Sequence, residues 1–321
     1  MRCWVFDWPG LQEEPTWEPG GPPPRFPDLE QAEPGRRWVF DHPSENGSVW
    51  VMGDTQISTK TAVLLKGEPG KHPDEMEVRR AIEQRWNGAV VVQGSPPGER
   101  HPRIWRGKFS QPTAGEAQGF SAAFAAANVI LERFRYVLRT VEPEAGNAQT
   151  FGHEIRQLLI LACTEVEAAW KSILVENKYP APKNERYTTN DYCKLRDALK
   201  LEDWQVELTM FGRYGNIAPF RGWDPQKPTE SLAWYADYNL TKHDREGNLC
   251  RATFQNLINS VAALYIMLAA QAGPEPLARG TFTVVDFRPT QVPLWELADE
   301  YVPAIGLSKN QLTSHLVAYP F

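Results

Sequence analysis

The sequence predicts a mainly α protein, an up-and-down helical bundle with a smaller α+β N-terminal region. Three observations predict it. An apolar stripe at i, i+3, i+4, i+7 spacing runs through Ile155, Leu158, Leu159, Ala162, Val166, Ala169, Trp170, Ile173 and Leu174. A second stripe holds Phe254, Leu257, Ile258, Val261, Leu264, Tyr265 and Leu268. Short β-branched and aromatic runs bounded by turn residues gather before residue 110. Three regions follow: a Pro-rich arm with a small α+β region at 1–115, the bundle at 116–275, and a C-terminal strand with an irregular tail at 276–321.

Residues 9–35 are rich in proline and glycine. Proline removes donors and fixes φ, so this stretch reads as an extended arm, polyproline-like around Pro22–Pro24. Trp4, Phe6, Trp8 and Trp17 are costly to leave in water, which sets docking of this arm beside a solvent-exposed reading. The runs 37–40, 48–53 and 61–66 read as strands, 74–87 as a helix opened by Asp74, and 88–94 as a further strand. The alanine-rich stretch 116–141 and the striped 150–177 read as long helices. Residues 189–200 carry a short helical pattern. Six Gly and Pro residues make 212–229 a loop. Residues 230–240 form a short helix, and 249–272 form the last long one, ended by Gly273-Pro274. The run 281–287 is a strand candidate.

The net charge of −6 argues against non-specific coating of nucleic acid. That acidity concentrates at the front: residues 1–50 hold nine Asp/Glu against four Arg, whereas 178–251 are close to balanced. The 321 residues contain no apolar run of the roughly 18–20 that a membrane span needs, so no membrane is expected. The N-terminus has no apolar signal segment. The four cysteines show no CxxC pair, which fits a reducing cytoplasm and neither a disulfide framework nor a structural zinc site. Residues 64–72 (LLKGEPGKH) fail as a phosphate loop, because only two residues, not four, separate Gly67 from Gly70 and His72 follows Lys71. None of the six histidines has metal-ligand spacing, and no GxSxG nucleophile motif occurs. No cofactor is implied.

One constellation remains, WYADYNLTKHDREGN at 234–248. His243 can exchange protons near neutral pH. Lys242 and Arg245 suit a phosphate. Asn239 lies four residues before His243, which on a helix puts both on one face. Without function, the same run reads as a solvated helix terminus with local charge pairs.

The order of core helix, Tyr238-Asn239-x-x-Lys242-His243-Asp244-Arg245 and long apolar helix resembles HEPN-type helical domains of bacterial defence and toxin–antitoxin systems, over about 119–272. The resemblance implies a metal-independent endoribonuclease acting on RNA, a two-fold homodimer with the site formed across it, and a protein partner such as an antitoxin. His243 would carry the proton, Arg245 and Lys242 the phosphate charge, and Asn239 the orientation. The family's motif has four to six residues between its Arg and the His, which puts the arginine at 236–238 if His243 is the motif histidine. Here 236–238 hold Ala236, Asp237 and Tyr238. The alternative is a non-catalytic helical module that binds a protein partner or nucleic acid.

Overall fold

The computed structural model describes residues 2–10, 35–41, 49–53, 61–67, 71, 73–107, 110, 114–181, 186–279, 284–304 and 314–321. Trp17, Pro22–Pro24, His72 and the first residues of the 281–287 strand candidate lie outside them. The chain divides into two units, residues 1–100 with 295–315, and 101–294 with 316–321. The sequence boundaries stood at 115 and 275.

The first unit is a five-stranded sheet. Its strands are β1 (Arg2–Trp8), β2 (Gly35–Asp41), β3 (Val49–Gly53), β4 (Thr61–Leu65) and β5 (Val92–Gln93), ordered β4-β3-β2-β1-β5. The N-terminal residues, which carried no strand expectation, therefore form an interior strand paired antiparallel on both sides. Alternation explains its place: Trp4, Phe6 and Trp8 fill one face while Cys3 and Val5 are buried on the other. Helix α1 (Glu75–Arg85) covers the first face with Val78 and Ile82, and Trp86 follows it into the same core. A capping box starts α1: the Asp74 carboxylate accepts from the Glu77 amide at 2.8 Å, and Glu77 accepts from the Asp74 amide at 3.0 Å. Gly94 is a close-approach glycine, since a Cβ there would stand 2.6 Å from Val5. Strand β5 spans only two residues of the expected 88–94 strand. The short strand β6 (Glu99–Arg100) comes at the end of this part of the chain.

The second unit is built on helices, and the whole chain is mixed α/β and helix-rich. Helices α2 (Ala114–Leu138) and α3 (His153–Glu176) come first, then the single turns α4 (Thr189–Tyr192) and α5 (Leu195–Ala198). After strand β7 (Gln205–Leu208) come α6 (Ala233–His243), the single turn α7 (Arg245–Asn248), α8 (Phe254–Ala272) and α9 (Pro274–Arg279). Helix α8 is the axis: α2, α3, α6 and α9 all pack on it. Its expected one-sided stripe is only part of the truth, because every residue from Ser260 to Ala272 is buried.

Hydrogen bonds fix the helix directions. Arg133 near the end of α2 reaches Glu154 in the first turn of α3 at 2.7 Å, so these two run antiparallel. A bridge between Phe151 and Thr253 joins the starts of α3 and α8, and Arg103 ties their ends through Glu176 and Gln271, so these two are parallel. Arg156 at the start of α3 donates to the Thr241 carbonyl near the end of α6 at 2.7 Å, and α6 runs against both.

Two expectations need correction. The final strand of this unit, β8 (Phe287–Gln291), begins where the expected 281–287 strand ends, and 284–286 are not in strand conformation. It pairs antiparallel with β7 as one half of a two-stranded sheet, where Pro289 is tolerated because the edge needs fewer donors. The last long helix starts at Phe254 rather than 249, because Thr253 caps it, its hydroxyl accepting from the Asn256 amide at 3.2 Å. The last strand of the chain is β9 (His315–Leu316). No helix among the described residues is long and apolar enough to cross a membrane.

Candidate functional site

The run 234–248 makes up most of α6 and the single turn α7 that follows it. Trp234, Tyr235 and Tyr238 anchor α6 in the core, and Thr241 is buried beside them. Spacing then turns the intervening positions outward. At Asp244 the backbone becomes extended (φ −134°, ψ 92°), which ends α6 and begins α7. The Asp244 carboxylate accepts from the Gly247 amide at 3.0 Å and the Asn248 amide group at 3.1 Å. A Cβ at Gly247 would sit 2.5 Å from that carboxylate, so glycine suits this cap.

Lys242, His243 and Arg245 are all exposed. They crowd the carbonyl end of α6, where the helix dipole favours positive charge. Among the described residues, neither His243 nor Arg245 has a side-chain hydrogen bond or ion pair. Lys242 is engaged: its Nζ donates to the Tyr238 hydroxyl at 2.7 Å and lies 5.0 Å from that ring's centre. This bond raises the Lys242 pKa above its ordinary value. Asn239 is half-buried and its amide donates back to the Tyr235 carbonyl at 3.1 Å. The structure thus brings Lys242, His243 and Arg245 to one helix end and commits Asn239 to its own backbone.

Beneath this surface lies a polar layer that sequence reasoning missed. The Tyr235 hydroxyl donates to Glu167 at 2.7 Å. Burial first, then the Glu167 charge, pushes the Tyr235 phenol well above its ordinary range. Burial also raises Tyr238 and the wholly buried Cys163 thiol, so both stay protonated at neutral pH. Glu167 could have been flagged, as an acidic residue beside Val166 and three before Trp170, within the α3 stripe. Asp237 accepts from Arg251 at 3.0 Å and from Asn256 at 2.9 Å. Arg251 thus brings a guanidinium to this position from outside α6. Nothing in the sequence spacing announced that contact.

Among the described residues no group of three or more His, Cys, Asp or Glu side chains is placed to hold a metal ion. No family model, curated protein or solved structure matches this chain.

Proposed function

We propose that the helical unit is a HEPN-like module that cleaves RNA without a metal, in the setting of a bacterial defence or toxin–antitoxin system. The observation that supports this reading is the pair His243 and Arg245, exposed and without side-chain partners among the described residues, where α6 ends and α7 begins. In the reaction, a ribose 2′ oxygen attacks the adjacent phosphorus and the bond from phosphorus to the 5′ oxygen breaks. His243 either takes the 2′ proton or returns one to the departing oxygen. Arg245 and Lys242 offset the negative charge that builds on the phosphoryl oxygens. A two-fold homodimer would bring a second His243 to supply the other proton transfer.

The other reading is a helical module that binds RNA or a protein partner without cleaving. Asp237 in place of the motif arginine, with its carboxylate held by Arg251 and Asn256, favours it. Incubation of the full chain with total RNA, with and without a chelator, separates the two. Chelator-resistant cleavage that disappears in His243→Ala at unchanged melting temperature supports the ribonuclease. RNA retained in a mobility shift but never cut supports the binding module, and intact RNA with no shift removes both RNA readings.

A further inference from the structure

The second unit contains a cavity of about 600 Å³ remote in sequence from the α6 terminus, walled in part by Tyr179, Tyr319 and Phe321. The Tyr179 and Phe321 ring centres are 5.5 Å apart with planes at 86°, and Tyr319 meets Phe321 at 4.9 Å and 66°. Rings set near right angles form a corner of π faces. A flat base prefers parallel rings on its two sides, whereas a compact rounded cation can contact several perpendicular faces at once. The rest of the lining adds the carboxylates Asp191 and Asp197 and the ammonium of Lys194.

The corner is held in place before any ligand arrives. The Tyr319 amide donates to Asn177 Oδ1 at 2.9 Å. Asn177 is itself buried and donates to the Pro102 and Ile173 carbonyls, both at 2.8 Å. His101 packs edge-on against Tyr319, and the Tyr187 hydroxyl donates to the Tyr179 carbonyl at 3.0 Å. Asp191 is oriented by the Thr188 amide at 2.7 Å, and Asp197 pairs with Arg196. Arg106 lies 5.2 Å from the Tyr319 ring centre, and the Tyr187 ring packs on Tyr179 at 6.2 Å.

We infer that this cavity is a binding site for an alkylammonium group, gripped by the Tyr179–Tyr319–Phe321 corner with Asp191 and Asp197 supplying the counter-charge. The inference is independent of the ribonuclease reading. Cation–π recognition requires both the charge and the ring, so each is removed separately.

The probes are choline and its neutral carbon isostere 3,3-dimethylbutan-1-ol, titrated into the full chain by calorimetry. Choline is expected to saturate, with the isostere at least about tenfold weaker. Tyr179→Leu and Phe321→Leu should each weaken choline about tenfold, whereas Tyr179→Phe, which keeps the ring, should not. Melting temperatures of the same variants confirm that they are folded. Raising the salt concentration and Asp197→Asn should both weaken binding, the latter mostly at low salt. Free choline, a trimethyl-lysine peptide and phosphatidylcholine vesicles then rank the source of the group, and tighter binding by any of them that falls in Tyr179→Leu supports the site. Equal affinity for choline and its isostere, or no saturation by any of these ligands, overturns it. So does guanosine monophosphate binding more tightly than choline through Tyr179, which would make the cavity a base site.

Discussion

Three consecutive positions at the end of α6 have separate physical roles. His243 and Arg245 are exposed and without partners among the described residues, so replacing either by Ala should move stability by no more than about 0.5 kcal/mol. The same variants should abolish RNA cleavage if the proposed function holds, a comparison read from one activity assay and one melting curve. Asp244 behaves in the opposite way. Its carboxylate satisfies the start of α7, and Asp244→Ala should cost about 0.5–2 kcal/mol in a denaturant titration while leaving His243 and Arg245 in sequence. Tyr265 gives a pH prediction. Burial in α8 pushes its phenol up to about 12, above the ordinary tyrosine value. Below about pH 10 both folded and unfolded chains hold that proton; above it the unfolded chain releases the proton first. Stability should therefore fall as pH rises from about 10 toward 12, and Tyr265→Phe should shallow the slope of melting temperature against pH. A slope unaffected by that change would assign the alkaline loss to other groups. The spacing of Asn239 and His243 was legible, but the use of Asn239 was not. A side-chain amide competes for nearby backbone carbonyls, and only the folded geometry shows that the Tyr235 carbonyl holds it.

At the scale of elements, α8 carries most of the argument. Leu264 lies in the second stripe read from the sequence; it is buried, as are Leu159, Val166, Trp170, Leu257 and Val261, and α3 packs on α8. Leu264→Ala should cost about 2–5 kcal/mol, measured as a shifted unfolding midpoint. The end of the helix is equally constrained. Gly273 has φ 88° and ψ 159°, a region that only glycine enters easily, and a Cβ there would meet the Trp105 indole nitrogen at 2.8 Å. Gly273→Ala should destabilise by about 1–3 kcal/mol, and a neutral result would mean that the turn relaxes around the new methyl. Periodicity read α3 well because one side of it faces solvent. It understated α8, since a helix buried around its whole girth has no polar side to reveal by contrast.

At the scale of the molecule, the decisive fact is that residues 2–8 are an interior strand. β1 pairs with β2 across 26 intervening residues and with β5 across 83. Removing residues 1–8 should take the middle out of the sheet and expose α1's apolar face. The expected result is loss of the tryptophan near-ultraviolet dichroism of the first unit and rapid proteolysis between residues 35 and 100. Retained dichroism and resistance would show that the sheet closes without β1. The helical unit needs its own long-range closure: Arg135 binds Asp286 through two contacts of 2.6 and 2.7 Å, and Phe134 stacks on Phe287.

Amphipathic periodicity, proline and glycine punctuation, and capping residues act over a few neighbouring positions, so the sequence by itself determined α1, α3, α6 and α8 and the gathering of Lys242, His243 and Arg245. Contacts across the chain obey no such local rule. The tertiary structure alone decided that Trp4, Phe6 and Trp8 line a sheet core, that Arg251 reaches Asp237, that Glu167 lies under Tyr235, and that Tyr179 meets Phe321. Each of these depends on burial and charge pairing between segments that only the folded chain brings within a few ångströms of one another.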